Sequence, residues 1–246
     1  MENKKIDQRP NEDEIKDILK LLNSEKLISA KELAKKKIKK YPNSPVFFNI
    51  LGAIFFKQNQ LSESIQCYKK AIKIDPNYAQ TYNNLGTAFH KMDKKNDAVS
   101  NFKKAIKLKD NFIESLFNLG NVMFELGSFQ EASLYFEKVL KIKPQFKMVF
   151  ASLGKTYMEL GKIEKALDCM KMALKFNPSS PEIYNNLGLA YGGLSRFDES
   201  LSSFKKAIEL SPNYEKAYNN LGNLFNTLGR YDESNNAYNE AIKIKP

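Results

Sequence analysis

Glycine recurs every 34 residues through most of this chain. The recurring positions are Gly52, Gly86, Gly120, Gly154, Gly188 and Gly222. A constant period of this length indicates one supersecondary unit copied along the chain, with each copy burying its apolar face against its neighbours. We therefore look for function on the surface that the copies share, rather than in the pocket of a globular enzyme.

Each copy begins with the pattern of an amphipathic helix. Around Gly86, for example, Tyr82, Leu85 and Phe89 are spaced so that they share one face of an α-helix. A break follows, at which glycine and asparagine, the usual residues of a helix C-terminus, are frequent. The breaks lie at Asn59, Asp93, Gly127, Gly161, Ser195 and Gly229.

A second helix follows each break. It is predicted to start near residues that are good N-caps, namely Ser62, Asn96, Asp198 and Asp232. Its apolar stripe runs through Ala98, Phe102, Ala105 and Ile106 in one copy and through Ala166, Met170, Ala173 and Leu174 in another. The copies close at Pro76, Pro144, Pro178, Pro212 and Pro246, with Asp110 at this place in the remaining one.

At these residues the chain resembles the tetratricopeptide repeat family. That family joins a Leu-Gly pair, a following aromatic, a small residue, a second aromatic and a terminal proline within 34 residues. The resemblance covers residues 45 to 246, with tyrosine or another apolar residue in place of the family's usual tryptophan. It implies an all-α solenoid of paired antiparallel helices stacked in a right-handed superhelix, with the first helix of each pair lining the concave face.

The repeat register divides the chain into an array and an N-terminal extension. The six predicted units are 45–78, 79–112, 113–146, 147–180, 181–214 and 215–246. Residues 11–44 are predicted to be a degenerate helix pair that caps the array, with Ala30 and Pro42 in register and Ile18 in place of the glycine. Residues 1–10 are predicted to be a disordered N-terminal arm.

The formal net charge of +11 comes almost entirely from lysine. Lysine and asparagine enrichment together fits the codon drift of an AT-rich genome, which we favour over a nucleic-acid-binding function. The lysines concentrate on the second helices, as in Lys69, Lys70, Lys103 and Lys104. A solvated outer face is the default interpretation, and weak, salt-sensitive polyanion binding stays open.

Several features predict a cytoplasmic protein. No stretch approaches the roughly 18 consecutive apolar residues of a membrane span, and residues 1–14 contain no apolar core of a secretory signal. Cys67 and Cys169 occupy the same repeat position three copies apart, too far for a disulfide, and are predicted to be free thiols. No membrane partner is expected.

Residue patterns of an enzyme are missing from the sequence. His90 is the single histidine, and neither a glycine-rich phosphate loop nor a paired-cysteine spacing occurs. We therefore expect no catalytic residues, no cofactor and no metal in this chain, and any catalytic domain would lie outside it.

Asparagine recurs at the sixth position of the first helices, although it costs up to about 0.7 kcal/mol relative to alanine in a helix. Positions 2, 6, 9 and 13 are predicted to line the concave groove. The amide group both donates and accepts hydrogen bonds, as does the backbone of an extended peptide. The recurrence resembles the asparagine ladder in the tetratricopeptide arm of O-linked N-acetylglucosamine transferases, although Ile50 and Ser152 depart from it. The alternative is that Asn-Leu-Gly is a common consensus without a ligand role.

These positions define the predicted peptide-binding residues. They are Asn84, Thr87, Lys91, Asn118, Asn121, Glu125, Ser152, Lys155, Asn186, Asn220 and Asn223. Ladder side chains that serve only a ligand should be dispensable for folding, and we expect this of Asn118 and Asn220.

The predicted function is that of a protein-interaction module that binds an extended peptide segment of a partner in the concave groove. Two alternatives stay open: a substrate-recruiting arm of a larger enzyme of the glycosyltransferase or sulfotransferase type, and polyanion binding through the outer lysines. The last helix keeps Tyr231, Tyr238 and Ile242 at positions that pack in other copies. We therefore expect further sequence after Pro246 and, without it, end-to-end self-association.

Overall fold

The computed structural model describes residues 10–245, which form fourteen α-helices and no strand. The helices are α1 (Glu12–Asn23), α2 (Leu27–Lys40), α3 (Pro45–Lys57), α4 (Leu61–Ile74), α5 (Ala79–Lys91), α6 (Lys95–Leu108), α7 (Ile113–Glu125), α8 (Phe129–Ile142), α9 (Lys147–Glu159), α10 (Ile163–Phe176), α11 (Pro181–Gly193), α12 (Phe197–Leu210), α13 (Glu215–Thr227) and α14 (Tyr231–Ile244). The predicted arm, apart from Pro10, and Pro246 lie outside the described residues.

The chain divides into two compact units, which meet in sequence between Val122 and Met123. Within each unit, helices pack as consecutive pairs, such as α3 with α4 and α11 with α12, and each pair contacts the next. The short connections within a pair make its two helices antiparallel. The all-α solenoid predicted from the sequence is therefore confirmed.

The turn inside each pair explains why the predicted breaks occur where they do. Asn59, for example, has a φ of 59°, in the left-handed region. Its N–H donates to the Phe56 carbonyl, and the N–H of Gln60 donates to the Phe55 carbonyl, which together form a Schellman motif. The same φ sign confirms the other predicted breaks, and Glu25 shows that α1 and α2 share this turn.

The predicted N-caps of the second helices are wrong. Ser62, Asn96, Asp198 and Asp232 are each the second residue inside their helix. The cap positions are Gln60, Lys94, Arg196 and Arg230, and none of these makes a side-chain capping bond. The reason is that the Schellman motif already reverses the chain with backbone bonds, so the next helix starts two residues after the left-handed residue.

The recurring glycine brings the two helices of a pair into close contact. A methyl group placed on Gly86 would lie 2.8 Å from the ring of Phe102, and one on Gly188 would lie 2.5 Å from the ring of Phe204. Real Cβ atoms do not approach a neighbour so closely, so only glycine fits against the large residue sixteen positions later. Phe102 and Phe204 are almost fully buried, as the predicted stripe requires.

A hydroxyl completes this contact in some copies. Ser64 donates to the Gly52 carbonyl at 2.8 Å, and Ser200 donates to the Gly188 carbonyl at 2.7 Å. Both serines are fully buried, so each hydroxyl satisfies its hydrogen-bonding potential inside the pair.

Two further observations bear on the sequence predictions. Cys67 and Cys169 are free thiols, as expected. Among residues 10–245, each helix is too short or too polar to cross a membrane.

Candidate peptide-binding site

The ladder asparagines bond to the preceding copy of the repeat. The side-chain amide of Asn118 donates to Oδ1 of Asn83 at 3.2 Å, and the amide of Asn220 donates to Oδ1 of Asn185 at 2.8 Å. Asn84 donates in the same way to Asn49 at 3.0 Å. We call this bond, from the sixth position of one copy to the fifth position of the copy before it, the asparagine clamp.

The clamp gives the ladder a structural role that the sequence did not predict. Its acceptor side chains are buried, with Asn83 only 7% exposed and Asn185 only 4% exposed. A buried amide that lost its partner would cost roughly 1–3 kcal/mol. The expectation that Asn118 and Asn220 are dispensable for folding therefore conflicts with the bonds that they form.

Asn186 departs from this pattern. The fifth position of the preceding copy is Ala151, which offers no side-chain acceptor. The side chain of Asn186 is half-buried and makes no hydrogen bond with any residue between 10 and 245. Its amide group is therefore free to bond with a ligand.

Asn186 lies in a cleft of about 330 Å³ within the second unit. The cleft is lined from α9, α11 and α13 and contains three of the predicted binding residues: Lys155, Asn186 and Asn220. Glu182, Leu189 and Lys216, which belong to the predicted groove stripe, also line it. The structure thus brings part of the predicted site together in one place.

Three lining residues were missed by the sequence analysis: Asn185, Asn219 and Tyr214. Each of the two asparagines is the first residue of an Asn-Asn-Leu-Gly motif in its own copy, and the doubled asparagine was the signal that could have drawn attention to the fifth position. Tyr214 directly precedes α13 and occupies the last position of its copy, where Tyr78, Phe112 and Phe146 also stand. This recurrence of aromatic residues was the signal that could have found it.

The polar groups of the cleft suit recognition of a peptide chain. Lys155 and Lys216 are exposed and bring positive charge, against the carboxylate of Glu182. Burial, followed by the carboxylates of Glu182 and Glu215, raises the pKa of Tyr214. Its hydroxyl, like that of any tyrosine at neutral pH, can donate a hydrogen bond. Leu189 is 41% exposed and adds an apolar contact.

In the second unit, the other predicted residues lie outside this cleft. Asn223 lines a neighbouring cleft of about 230 Å³ that shares Leu189 and Asn220 with the first, and its Oδ1 accepts from the Tyr238 hydroxyl at 2.6 Å. Ser152 is half-buried and Glu125 is exposed; neither lines either of these clefts.

In the first unit, the predicted residues are mostly engaged with the protein itself. Asn84 forms a clamp, and the Thr87 hydroxyl donates to the Asn83 carbonyl at 3.0 Å. The Lys91 ammonium lies 5.0 Å from the centre of the Phe56 ring. Asn118 forms a clamp as well, and Asn121 is half-buried.

Residues 10–245 contain no group of three or more histidine, cysteine, aspartate or glutamate side chains placed to hold a metal ion.

Comparison with protein families assigns the fold to a known class. Models described as TPR repeat match residues 52–93 and 154–195, and models described as tetratricopeptide repeat match residues 79–112, 113–146 and 179–246. This chain belongs to the tetratricopeptide repeat family.

Solved structures of similar fold include three informative proteins. YrrB, described as a TPR protein with an unusual peptide-binding site, is 24% identical, with 74% of this chain and 94% of YrrB covered and a TM-score of 0.63. MamA is 26% identical, with coverages of 70% and 94% and a TM-score of 0.63. PilF of Pseudomonas aeruginosa is 18% identical, with coverages of 83% and 93% and a TM-score of 0.76. These similarities show the shared fold. No curated protein sequence matches this chain.

Proposed function

We propose that this chain is a protein-interaction module that binds an extended segment of a partner protein in the cleft of its second unit. One observation carries the proposal: Asn186 presents an amide with no partner among the described residues, in the same cleft as Asn220. A half-buried amide in a cleft is more costly to leave without a bond than one in open solvent.

The two asparagines can bond to the backbone of one extended segment. Packed helices lie about 8–10 Å apart, and α11 contacts α13. An extended chain rises about 3.3 Å per residue, so the side chains of Asn186 and Asn220 match peptide groups about three residues apart. Asn186 can donate and accept, whereas Asn220 has given one N–H to Asn185 and keeps its Oδ1 and second N–H.

The first-unit residues contribute differently to the proposal. Asn84 and Asn118 have each committed an N–H to a clamp, so each has less to offer a ligand than Asn186 has. Binding there through Asn84, Thr87, Lys91, Asn118 and Asn121 stays a prediction.

The experiment is a selection of phage-displayed random dodecapeptides on the intact chain, followed by fluorescence anisotropy with an enriched peptide. We expect Asn186→Ala to weaken binding about three- to tenfold, the loss of one hydrogen bond. Asn236→Ala is the control, because it also removes an amide from a helix interior of the same unit, but on α14, where Asn236 is exposed and lines neither cleft.

Neither substitution should lower the melting temperature, because alanine is the better helix former at both positions. Failure to enrich any peptide over an unrelated protein would contradict the proposed function. Equal binding by the Asn186→Ala variant and the unaltered chain would show that the amide is not part of the site.

A further inference from the structure

A second hollow lies beside this cleft and is mainly apolar. It has a volume of about 360 Å³ and is lined from α9, α10 and the start of α11, with Met148, Ala151, Phe176 and Ile183 among its lining residues. Met148 is 56% exposed and Phe176 is 42% exposed. Two large apolar side chains therefore face solvent at the rim of one hollow.

The hollow and the free amide of Asn186 both depend on Ala151, a residue that departs from the repeat pattern. Ala151 stands at the fifth position, where four other copies have asparagine: Asn49, Asn83, Asn185 and Asn219. Its small side chain gives Asn186 no acceptor and is itself part of the hollow's lining. Phe176 is held at the rim by stacking on Phe150, with ring centres 5.8 Å apart.

Two of the residues that line the hollow place it near the peptide cleft. In every clamp of the second unit and the first, the fifth-position side chain lies within 3.2 Å of the next sixth-position amide. By the same geometry, Ala151 faces Asn186. Ile183 of the hollow also follows Glu182 of the cleft directly in sequence. Asn186 and the hollow therefore both lie next to Ala151.

The charges along this path favour an acidic ligand. Lys147 lines the hollow, and Lys155 and Lys216 line the cleft, whereas Glu182 is the one carboxylate among the residues that line the two. Complementary charge guides association and fixes the register of a bound segment. A basic segment would meet three like charges.

We propose that the ligand is an extended acidic segment of a partner protein that inserts one large apolar side chain, of the size of leucine, methionine or phenylalanine, into the hollow. This inference rests on the proposed function, because the main chain of the segment is held by Asn186 and Asn220. The hollow supplies side-chain specificity that backbone bonds cannot give. The lysines orient the acidic residues on either side of the anchor.

The test uses the dodecapeptides enriched on the intact chain and a fluorescent copy of one of them. The enriched sequences are expected to carry net negative charge and to share one large apolar residue. Replacing that residue by alanine should weaken binding about tenfold, or ~1.4 kcal/mol. Binding should also weaken as salt rises.

Met148→Ser removes one wall of the hollow and is expected to weaken binding about tenfold. Leu134→Ser is the matched control, because Leu134 is also 56% exposed but lies on α8, away from the hollow. Its effect should be less than twofold. In the Met148→Ser variant, alanine at the anchor of the peptide should cost little more, since the two changes remove the same contact.

The outcomes separate this inference from the function on which it rests. Enriched peptides that depend on Asn186 but are basic, or that lack an apolar anchor, would overturn the acidic-anchor inference and leave the proposed function standing. Equal effects of Met148→Ser and Leu134→Ser would do the same. If no peptide is enriched, both fall together.

Discussion

The two units of this protein use the same ladder residues in different ways. In the first unit, Asn84 and Asn118 both donate to the preceding copy. In the second, Asn220 does so but Asn186 does not, because Ala151 stands opposite it. A repeat position that is structural in one unit is thus available to a ligand in the other, and the residue that decides this lies in the neighbouring copy.

The largest effect is expected where the clamp carries most bonds. Oδ1 of Asn83 accepts from Asn118 and also from the buried hydroxyl of Ser115, at 2.9 Å. Asn83→Ala would leave both donors without this acceptor, and we expect it to lower the free energy of unfolding by about 2 kcal/mol. Chemical denaturation followed by circular dichroism measures the loss.

Asn49→Ala is the control in the same unit, because Asn49 is equally buried but accepts from Asn84 alone among the described residues. It should cost about 1 kcal/mol. Adding Ser115→Ala to Asn83→Ala should recover part of the loss, since the buried hydroxyl is then gone. If Asn83→Ala and Asn49→Ala lower the free energy of unfolding equally, the second hydrogen bond to Asn83, from Ser115, adds nothing to stability.

The second prediction concerns a substitution that would give Asn186 an asparagine clamp. Ala151→Asn supplies the missing acceptor for Asn186 and places a larger side chain in the hollow. We expect the affinity for an enriched peptide to fall about tenfold, or ~1.4 kcal/mol. The melting temperature should hardly change, because one new hydrogen bond of about 1 kcal/mol offsets a helix-propensity loss of about 0.7 kcal/mol.

Ala151→Ser serves as the control, because its hydroxyl is too short to reach the neighbouring amide as asparagine does. Peptide binding to this variant should stay within about twofold of the unaltered chain. If Ala151→Asn binds peptide normally, the difference between the two units has no consequence for ligands.

The third prediction concerns the turn that both units share. Glu25 and Ser195 have φ values of 56° and 57°, a region that costs side chains roughly 1 kcal/mol and glycine little. Glu25→Gly in the first unit and Ser195→Gly in the second should each raise stability by about 0.5–1 kcal/mol. Thermal unfolding measures the gain.

Asn59→Gly is the comparison, since asparagine tolerates this backbone region well, and it should change stability little. A clear gain in one unit and none in the other would show that the units differ in their turns as well as in their ladders.

The smallest effect is a dependence on acid of the helix pair α1 and α2 in the first unit. Hydrogen bonds from Lys37, Tyr41 and Lys40 lower the pKa of Glu14 from 4.5 to about 2. Because the folded pKa is the lower one, this carboxylate stabilises the fold above pH 4.5, and the contribution is lost as the pH falls toward 2. Amide hydrogen exchange in α1 and α2 should therefore speed up over this range.

Glu14→Gln should exchange faster at neutral pH and show a smaller change on acidification. The amides of α11 and α13, in the second unit, provide an internal reference. An unaltered acid response in the Glu14→Gln variant would assign the response to other groups.

Much of the fold could be predicted from the sequence because it depends on short-range rules. The glycine period, the breaks such as Gly161 and the buried stripe through Phe102 each follow from contacts within one copy. The N-caps failed for a local reason as well: Asp198 and its equivalents look like caps, but the backbone bonds of the Schellman motif made capping side chains unnecessary.

The candidate site was less predictable because it depends on pairs of copies. Asn186, Lys155 and Asn220 were found from their periodic positions, and the structure brings them into one cleft. Helix periodicity could not reveal that Asn185 accepts from Asn220, because their partnership joins residues 35 positions apart. Nor could it reveal that Ala151 alters the environment of Asn186 across a helix boundary.

The clamp also sets a rule for which copies can stand next to one another during duplication or loss of repeats. Deleting residues 79–112 would bring Asn49 opposite Asn118, so a donor still meets an acceptor. Deleting residues 181–214 would bring Ala151 opposite Asn220, and the acceptor would be gone. Two deletions of equal length, both in register, therefore differ in the junction that they leave. Gene rearrangement can therefore remove residues 79–112 and keep an asparagine clamp at the new junction. Removal of residues 181–214 instead leaves the amide of Asn220 without its acceptor and, with it, creates a different surface for partners.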